Sequence, residues 1–237
     1  MFDKGQAMLL WALECQPEIT AEWNEWYNLE HLSSLVQVPG FISGNRYEQV
    51  ESSSLSPLNP RFPAPRYLSF YELYDEKVLE SEAYHINRTS TGPGMRPEWT
   101  KRMLTYITSI MGGTYKPLTD TWLNDTDRTA QNVWALFFDP EEYGEEKLDH
   151  WYNDQLFPIL KENESIKACR LIGTDQSSPK VQGGVQQLKG PRRILLCSVQ
   201  DQFNPEVQQA SLVEAWRGGR DFISAAQAVL YKRMSIK

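Results

Sequence analysis

The sequence predicts an α+β protein built from two ferredoxin-like β-α-β-β-α-β repeats, with their sheets packed face to face as an intramolecular pseudo-dimer. Three observations predict it. The tripeptide Trp26-Tyr27-Asn28 returns as Trp151-Tyr152-Asn153, an offset of 125 positions from 26 to 151. The same order of strand-like and helix-like segments surrounds both copies. A single unit of this kind covers one face of its sheet with helices, so a second sheet is needed for the other face. The polar run N-D-T-D-R-T divides the chain into residues 1–124 and 125–237.

The elements follow in order. Met8 to Cys15 is an apolar run of strand length, ended by Pro17. Thr20 is positioned to cap a helix that runs to about Gln37, with Ile19, Trp23, Trp26 and Glu30 on one side. Leu29, Leu32 and Val36 extend its apolar face, and Tyr27 and His31 are spaced to meet. Val38-Pro39-Gly40 stops the helix, and Phe41 to Val50 alternates as a strand. Glu51 to Pro65 reads as a loop and aromatic-rich Tyr67 to Asp75 as a strand. Glu76 to Arg88 and Glu98 to Met111 read as helices around a Gly/Pro break, and Gly112-Gly113 ends the second. Thr114 to Trp122 is an edge strand containing Pro117. The second half repeats this order: strand 132–139, helix 141–161, strand 165–174, a Gly/Ser/Gln-rich loop 175–190, strand 193–200, helix 205–216 and strand 228–236.

Composition narrows the function. A net charge of −7 argues against a nucleic-acid surface, which needs clustered Lys and Arg. No apolar run approaches the ~18 residues that cross a bilayer, and no basic-then-apolar leader opens the chain. Cys15, Cys169 and Cys197 are far apart in sequence, with no C-x-x-C. That fits a reducing, cytoplasmic setting without disulfides or structural zinc. Three scattered histidines suggest no metal site, and no P-loop or G-x-G-x-x-G suggests a nucleotide, so the expected cofactor count is none. The expected partner is a small molecule, and the expected assembly is a monomeric pseudo-dimer or a homodimer of it.

His31 is the candidate acid–base group, since an unperturbed imidazole titrates near ~6.5. Tyr27, one turn earlier, is its candidate assistant. The alternative is a helix histidine bonded to a neighbouring carbonyl. Trp23 and Trp26 can wall an aromatic substrate, although a stripe at helical spacing is also what a buried helix shows. Arg46 lies in a strand covered on both faces and needs a carboxylate, from Glu14 or Glu72 first and otherwise from a ligand. Tyr47, Tyr71 and Tyr74 can donate to a substrate carbonyl or simply pack. His85 and Arg88, near a helix end, suit either an anionic substrate or the helix dipole. His150 reads as a surface residue, and Glu141, Glu142, Glu145 and Glu146 as a solvated helix start.

The run W-Y-N-L-E-H-L, followed by V-P-G-F-x-x-x-x-R-Y, resembles the signature of the dimeric α+β barrel superfamily, most nearly its EthD-like branch, here in tandem form. The family's Trp, His and Pro fall on Trp26, His31 and Ser33 in the first copy, and on Trp151, Leu156 and Pro158 in the second. The resemblance implies a cofactor-free enzyme acting on a small aromatic or polyketide-like metabolite. Its catalytic residues would be His31 and Tyr27. Its substrate-binding residues would be Trp23, Trp26, Arg46, Tyr47, Tyr71, His85 and Arg88. Lyase, cyclase or isomerase chemistry comes first and cofactor-free oxygenation next. A non-catalytic binding protein and a haem protein are the other members the resemblance allows.

Overall fold

The computed structural model describes residues 5–51, 64–88, 96–119, 130–141, 144–174 and 185–234. Its strands are β1 (Ala7–Cys15), β2 (Phe41–Gln49), β3 (Tyr67–Leu73), β4 (Ile107–Pro117), β5 (Asn132–Pro140), β6 (Ile166–Gly173), β7 (Gln186–Gln187), β8 (Arg193–Val199) and β9 (Ile223–Arg233). They join in the order β1-β3-β2-β9-β5-β8-β6-β4, and β4 pairs back onto β1. Those eight strands therefore close into a barrel, which removes free sheet edges, while short β7 adds in parallel to β4. The two sheets expected to face each other across the core are joined at their edges into this single barrel. The halves are hydrogen-bonded along two short seams, Tyr47–Gln49 of β2 with Tyr231–Arg233 of β9, and Lys116-Pro117 of β4 with Ile172-Gly173 of β6.

Each half contributes four strands, in the orders β4-β1-β3-β2 and β9-β5-β8-β6. The offset of 125 recurs in the backbone: β1 and β5 start at 7 and 132, and β2 and β6 at 41 and 166. Register shifts recur with it, at Glu14/Cys15 and Asp139/Pro140, and at Phe41/Ser43 and Ile166/Ala168.

The helices are α1 (Thr20–Trp26), α2 (Leu32–Val36), α3 (Glu82–Arg88), α4 (Glu98–Leu104), α5 (Glu145–Trp151), α6 (Phe157–Glu162) and α7 (Pro205–Gly219). A single π turn, Tyr27–His31, links α1 to α2, and another, Tyr152–Leu156, links α5 to α6. Both fall on the W-Y-N match. Because one extra residue in a turn rotates everything after it, the spacing argument fails at Leu29, which is 54% exposed rather than on the apolar face.

The core has three parts. The barrel interior is filled by side chains such as Met8, Leu10, Phe70, Phe137 and Val229. Tyr47, Tyr115 and Tyr231 also lie there, each donating its hydroxyl to a backbone carbonyl, of Ala130, Pro191 and Pro65. Helices α1 to α4 pack on the outer face of the first four strands, and α5 to α7 on the outer face of the second four. A buried ion pair, Arg170 Nη1 to Glu72 Oε1 at 2.8 Å, links the non-adjacent strands β6 and β3. Arg170 also donates to the Gly5 carbonyl.

Several sequence expectations change. Thr20 does not cap the start of α1, whose N-cap is Ile19; its hydroxyl donates to the Pro17 carbonyl. The helix expected over 76–88 breaks at extended Ser81 into a 3-10 turn and α3. The one expected over 98–111 stops at Leu104, and β4 begins at Ile107. Gly112 and Gly113 do not end a helix: they sit inside β4 with φ of 134° and 152°. A Cβ on Gly112 would lie 2.1 Å from the Leu10 carbonyl oxygen, so glycine permits the close approach of β4 to β1. Strand β9 begins five residues earlier than expected, and β7 falls within the expected loop 175–190. Glu145 is not simply solvated, since it pairs with Arg192 and Arg193. Cys169 and Cys197, distant in sequence, face each other across β6 and β8 as free thiols 3.4 Å apart. The loop over 51–65 and the polar run at 124–129 lie almost wholly outside the described residues.

Candidate functional site

A cavity of about 460 Å³ lies between the outer face of the first-half strands and helices α1 to α4. Its floor is Leu9, Trp11 and Leu13 of β1, with Tyr71 of β3 and Ile110 of β4. Alternation explains the floor: these residues face outward from the barrel, while Leu10 and Ala12 face inward. Its walls include Trp23, Trp26, Tyr27 and His31 from the first helix. Tyr84, His85, Asn87 and Arg88 come from α3, and Arg96 precedes α4.

The π turn builds the centre of the site. It places His31 against Trp26, ring centroids 4.7 Å apart and planes 28° apart, and edge-on to Tyr27 at 4.8 Å. The Trp26 indole N–H donates to Thr100 Oγ1 at 2.9 Å, and that hydroxyl donates to Glu30 Oε1 at 2.6 Å. Helix α4 therefore holds the indole in place behind the imidazole. Tyr27 and Tyr71 share a hydroxyl–hydroxyl hydrogen bond of 3.1 Å. Among the described residues no hydrogen bond engages the imidazole nitrogens of His31, and the ring lines the cavity with part of its surface accessible. The carbonyl-bonded alternative therefore does not describe its ring.

Burial first, and then charge, sets the state of that ring. Burial pushes the His31 pKa down, and the positive charges of Arg96, Arg88 and Arg46 push it further, to about 3. His31 is neutral at pH 7. Burial raises Tyr71 well above the ordinary phenol range. Arg96 is lowered by burial and then by the charge of Arg88. Arg88 donates to the Tyr84 hydroxyl at 2.7 Å. No Asp or Glu is found among the described residues that line the cavity.

The sequence candidates divide. His31, Tyr27, Trp23, Trp26, Tyr71, His85 and Arg88 are brought to this one cavity. Tyr47 is not: it points into the barrel and stacks on Phe70 at 5.1 Å. Tyr47 faces into the barrel and the Arg46 guanidinium lies on the outer side against Tyr27, so the two do not meet in one site. Among the described residues Arg46 has no carboxylate partner, which differs from the expectation of Glu14 or Glu72. Its guanidinium lies between the rings of Tyr27 and Tyr67, at 4.3 and 4.6 Å, and donates to Asn24 Oδ1 at 2.6 Å. The expected acids are engaged elsewhere, Glu72 by Arg170 and Glu14 by the Arg66 backbone N–H. Arg46 lines a separate 220 Å³ hollow with Leu32, Asn45 and Arg233. Tyr74 is exposed, and His150 lies on the exposed side of α5. Sequence reading missed Arg96, Tyr84 and Asn87. Arg96 stands in the Gly/Pro break, where no periodicity marks a side chain.

The second half arranges the same place differently. Leu156 holds the position of His31 and is fully buried. Trp151 donates to the Ala215 carbonyl, and Trp216 of the unbroken α7 packs on it at 5.4 Å. In the first half, α3 and α4 stand in place of that long helix, and α4 presents Thr100 to the Trp26 N–H.

No group of three His, Cys, Asp or Glu with metal-binding geometry occurs among the described residues. Nor is any described helix long and apolar enough to cross a membrane.

No family model matches the chain, and neither does any curated protein. Solved structures do. An anthrone oxidase-like protein superposes with a TM-score of 0.60 at 14% identity, over 98% of this chain and 92% of that one. A protein from Lactobacillus acidophilus, provisionally named a monooxygenase, gives 0.55 at 7% identity over 97% and 94%. One from Fusobacterium nucleatum, named in the same way, gives 0.55 at 8% over 99% and 94%. These likenesses concern the fold alone: the chain folds as an α+β barrel over nearly its whole length.

Proposed function

We propose that the protein is a cofactor-free enzyme acting on a small aromatic or polyketide-like molecule in the first-half cavity, with His31 as the proton acceptor. The observation that carries this reading is the placement of His31: its ring opens to a cavity of substrate size, and among the described residues no hydrogen bond engages its nitrogens. Tyr27 assists by orienting the ring edge-on. Tyr71, Trp23, Trp26, His85 and Arg88 shape and bind. Proton abstraction beside a carbonyl yields an enolate, and the guanidinium charges that hold the imidazole neutral also favour that anion. The cation field thus opposes one half of the transfer and assists the other.

The halves are read as diverged copies, 1–124 and 125–237, forming a tandem ferredoxin-like pseudo-dimer nearest the EthD-like branch. The recurring offset, register shifts and π turns support this. Only the first copy keeps the titratable ring. Lyase, cyclase or isomerase chemistry follows most simply from an enolate. Reaction of the carbanion with oxygen is the second reading, favoured by the names of the structural neighbours.

The test uses anthrone in D2O under nitrogen, following loss of its methylene signal by NMR. The parent protein is expected to accelerate exchange, and His31→Ala to return it to the buffer rate with an unchanged circular dichroism spectrum. Exchange by the variant at the parent rate would remove His31 from the role. An absorption spectrum of the pure protein checks the haem alternative.

A further inference from the structure

The chain carries a net charge of −7, yet two arginines and no acid line the described part of the first-half cavity. Arg96 is half-buried, and Arg88 stands more exposed at the rim. Arg88 spends one N–H on the neutral hydroxyl of Tyr84. Among the described residues neither arginine forms a salt bridge, although most others here do. The segment between them, T-S-T-G-P-G-M at 89–95, contains no carboxylate in its sequence. Two like charges flanking an apolar space raise each other's energy unless an anion joins them.

We infer that the cavity selects a ligand that already carries an oxyanion, foremost a carboxylate, and that Arg88 and Arg96 hold this group while the aromatic body lies against Trp23, Trp26 and Tyr71. This rests on the cavity being the binding site, and it names the substrate class for that site. Guanidinium groups suit a carboxylate because two parallel N–H donors match its two oxygens. A bound anion would also offset part of the cation field on His31, leaving the lowering by burial in place. The imidazole would then become a stronger base only when the ligand is seated, which links recognition to proton transfer.

The test compares 2-naphthoate with its neutral isostere 2-naphthamide by calorimetry, using the intact protein. Charge-assisted hydrogen bonds predict that naphthoate binds about tenfold or more tightly than the amide. In Arg88→Gln/Arg96→Gln the two affinities should converge, with amide binding retained as the sign of an intact cavity. On the parent protein alone, naphthoate should raise the His31 pKa measured by NMR and the amide should not. Equal affinities for the two probes, no naphthoate binding, or a His31 pKa indifferent to naphthoate would each overturn the inference. These readouts involve no turnover, so they can fail while His31-dependent exchange stands, and the reverse.

Discussion

The imidazole of His31 stacks on the indole of Trp26, five residues earlier in the chain. In a regular α-helix, positions five apart point about 140° away from each other. The π turn from Tyr27 to His31 widens the helix by one residue and brings the two rings together. Fold and site meet at this turn, since its counterpart in the second half presents Leu156 instead.

Trp26→Phe keeps a ring behind His31 but removes the N–H that reaches Thr100. Loss of that buried hydrogen bond and of indole volume is expected to cost about 1–3 kcal/mol. Urea denaturation measures it, and an unchanged midpoint would mean that the indole bond does not hold the helices together.

Arg46 tests a different idea, that a buried cation can be held by two aromatic faces and one amide. With no carboxylate to strand, Arg46→Met should leave unfolding free energy within about 1 kcal/mol of the parent, because desolvation of the guanidinium is removed with it. Asn24→Ala keeps the charge and removes its acceptor, and should cost about 1–3 kcal/mol. A loss of about 3–5 kcal/mol in Arg46→Met would be the signature of a broken ion pair and would contradict this.

The two halves predict opposite responses to exchanging their marker residues. Leu156→His puts a polar ring into a fully buried position beside Trp151 and Trp216, and should destabilise by about 2–4 kcal/mol. His31→Leu removes a desolvated ring from a cavity wall and should leave stability near the parent's. Equal costs in thermal melts would mean that the halves are packed alike.

Stability should also depend on pH through His31. Its folded pKa lies below the unfolded value of 6.5. The unfolded chain therefore binds a proton that the native state refuses. The contribution is complete above pH 6.5 and is lost as pH falls towards about 3, by at most about 1.4 kcal/mol per unit. His31→Gln should flatten this slope; an identical acid limb in both proteins would show that other groups set it.

Much of this was legible beforehand. The W-Y-N match located both π turns without revealing that they were π turns, because hydrophobic spacing assumes a regular helix. Tyr67 to Leu73 and the Val38-Pro39-Gly40 stop follow from local chemistry, and Gly40 has the positive φ of 96° that a turn asks of glycine. Gly112 and Gly113 misled, since the same residue type serves a helix end and a close strand contact. Arg46 was placed correctly in a covered strand, but its partners come from three separate segments and no spacing rule joins them. Arg96 was invisible because a loop side chain has no period. The cavity depends on α3 and α4 being short where α7 is long, a difference in tertiary packing rather than in any motif.

The most direct measurement is an NMR titration of the three histidine rings in the ligand-free protein, with His31→Gln assigning one of them. The His31 ring is expected to stay neutral through pH 5, on the way to a pKa of about 3. Titration of His31 near its ordinary value of 6.5 would mean a ring bathed in water and outside the field of Arg88 and Arg96, and would contradict the site described here.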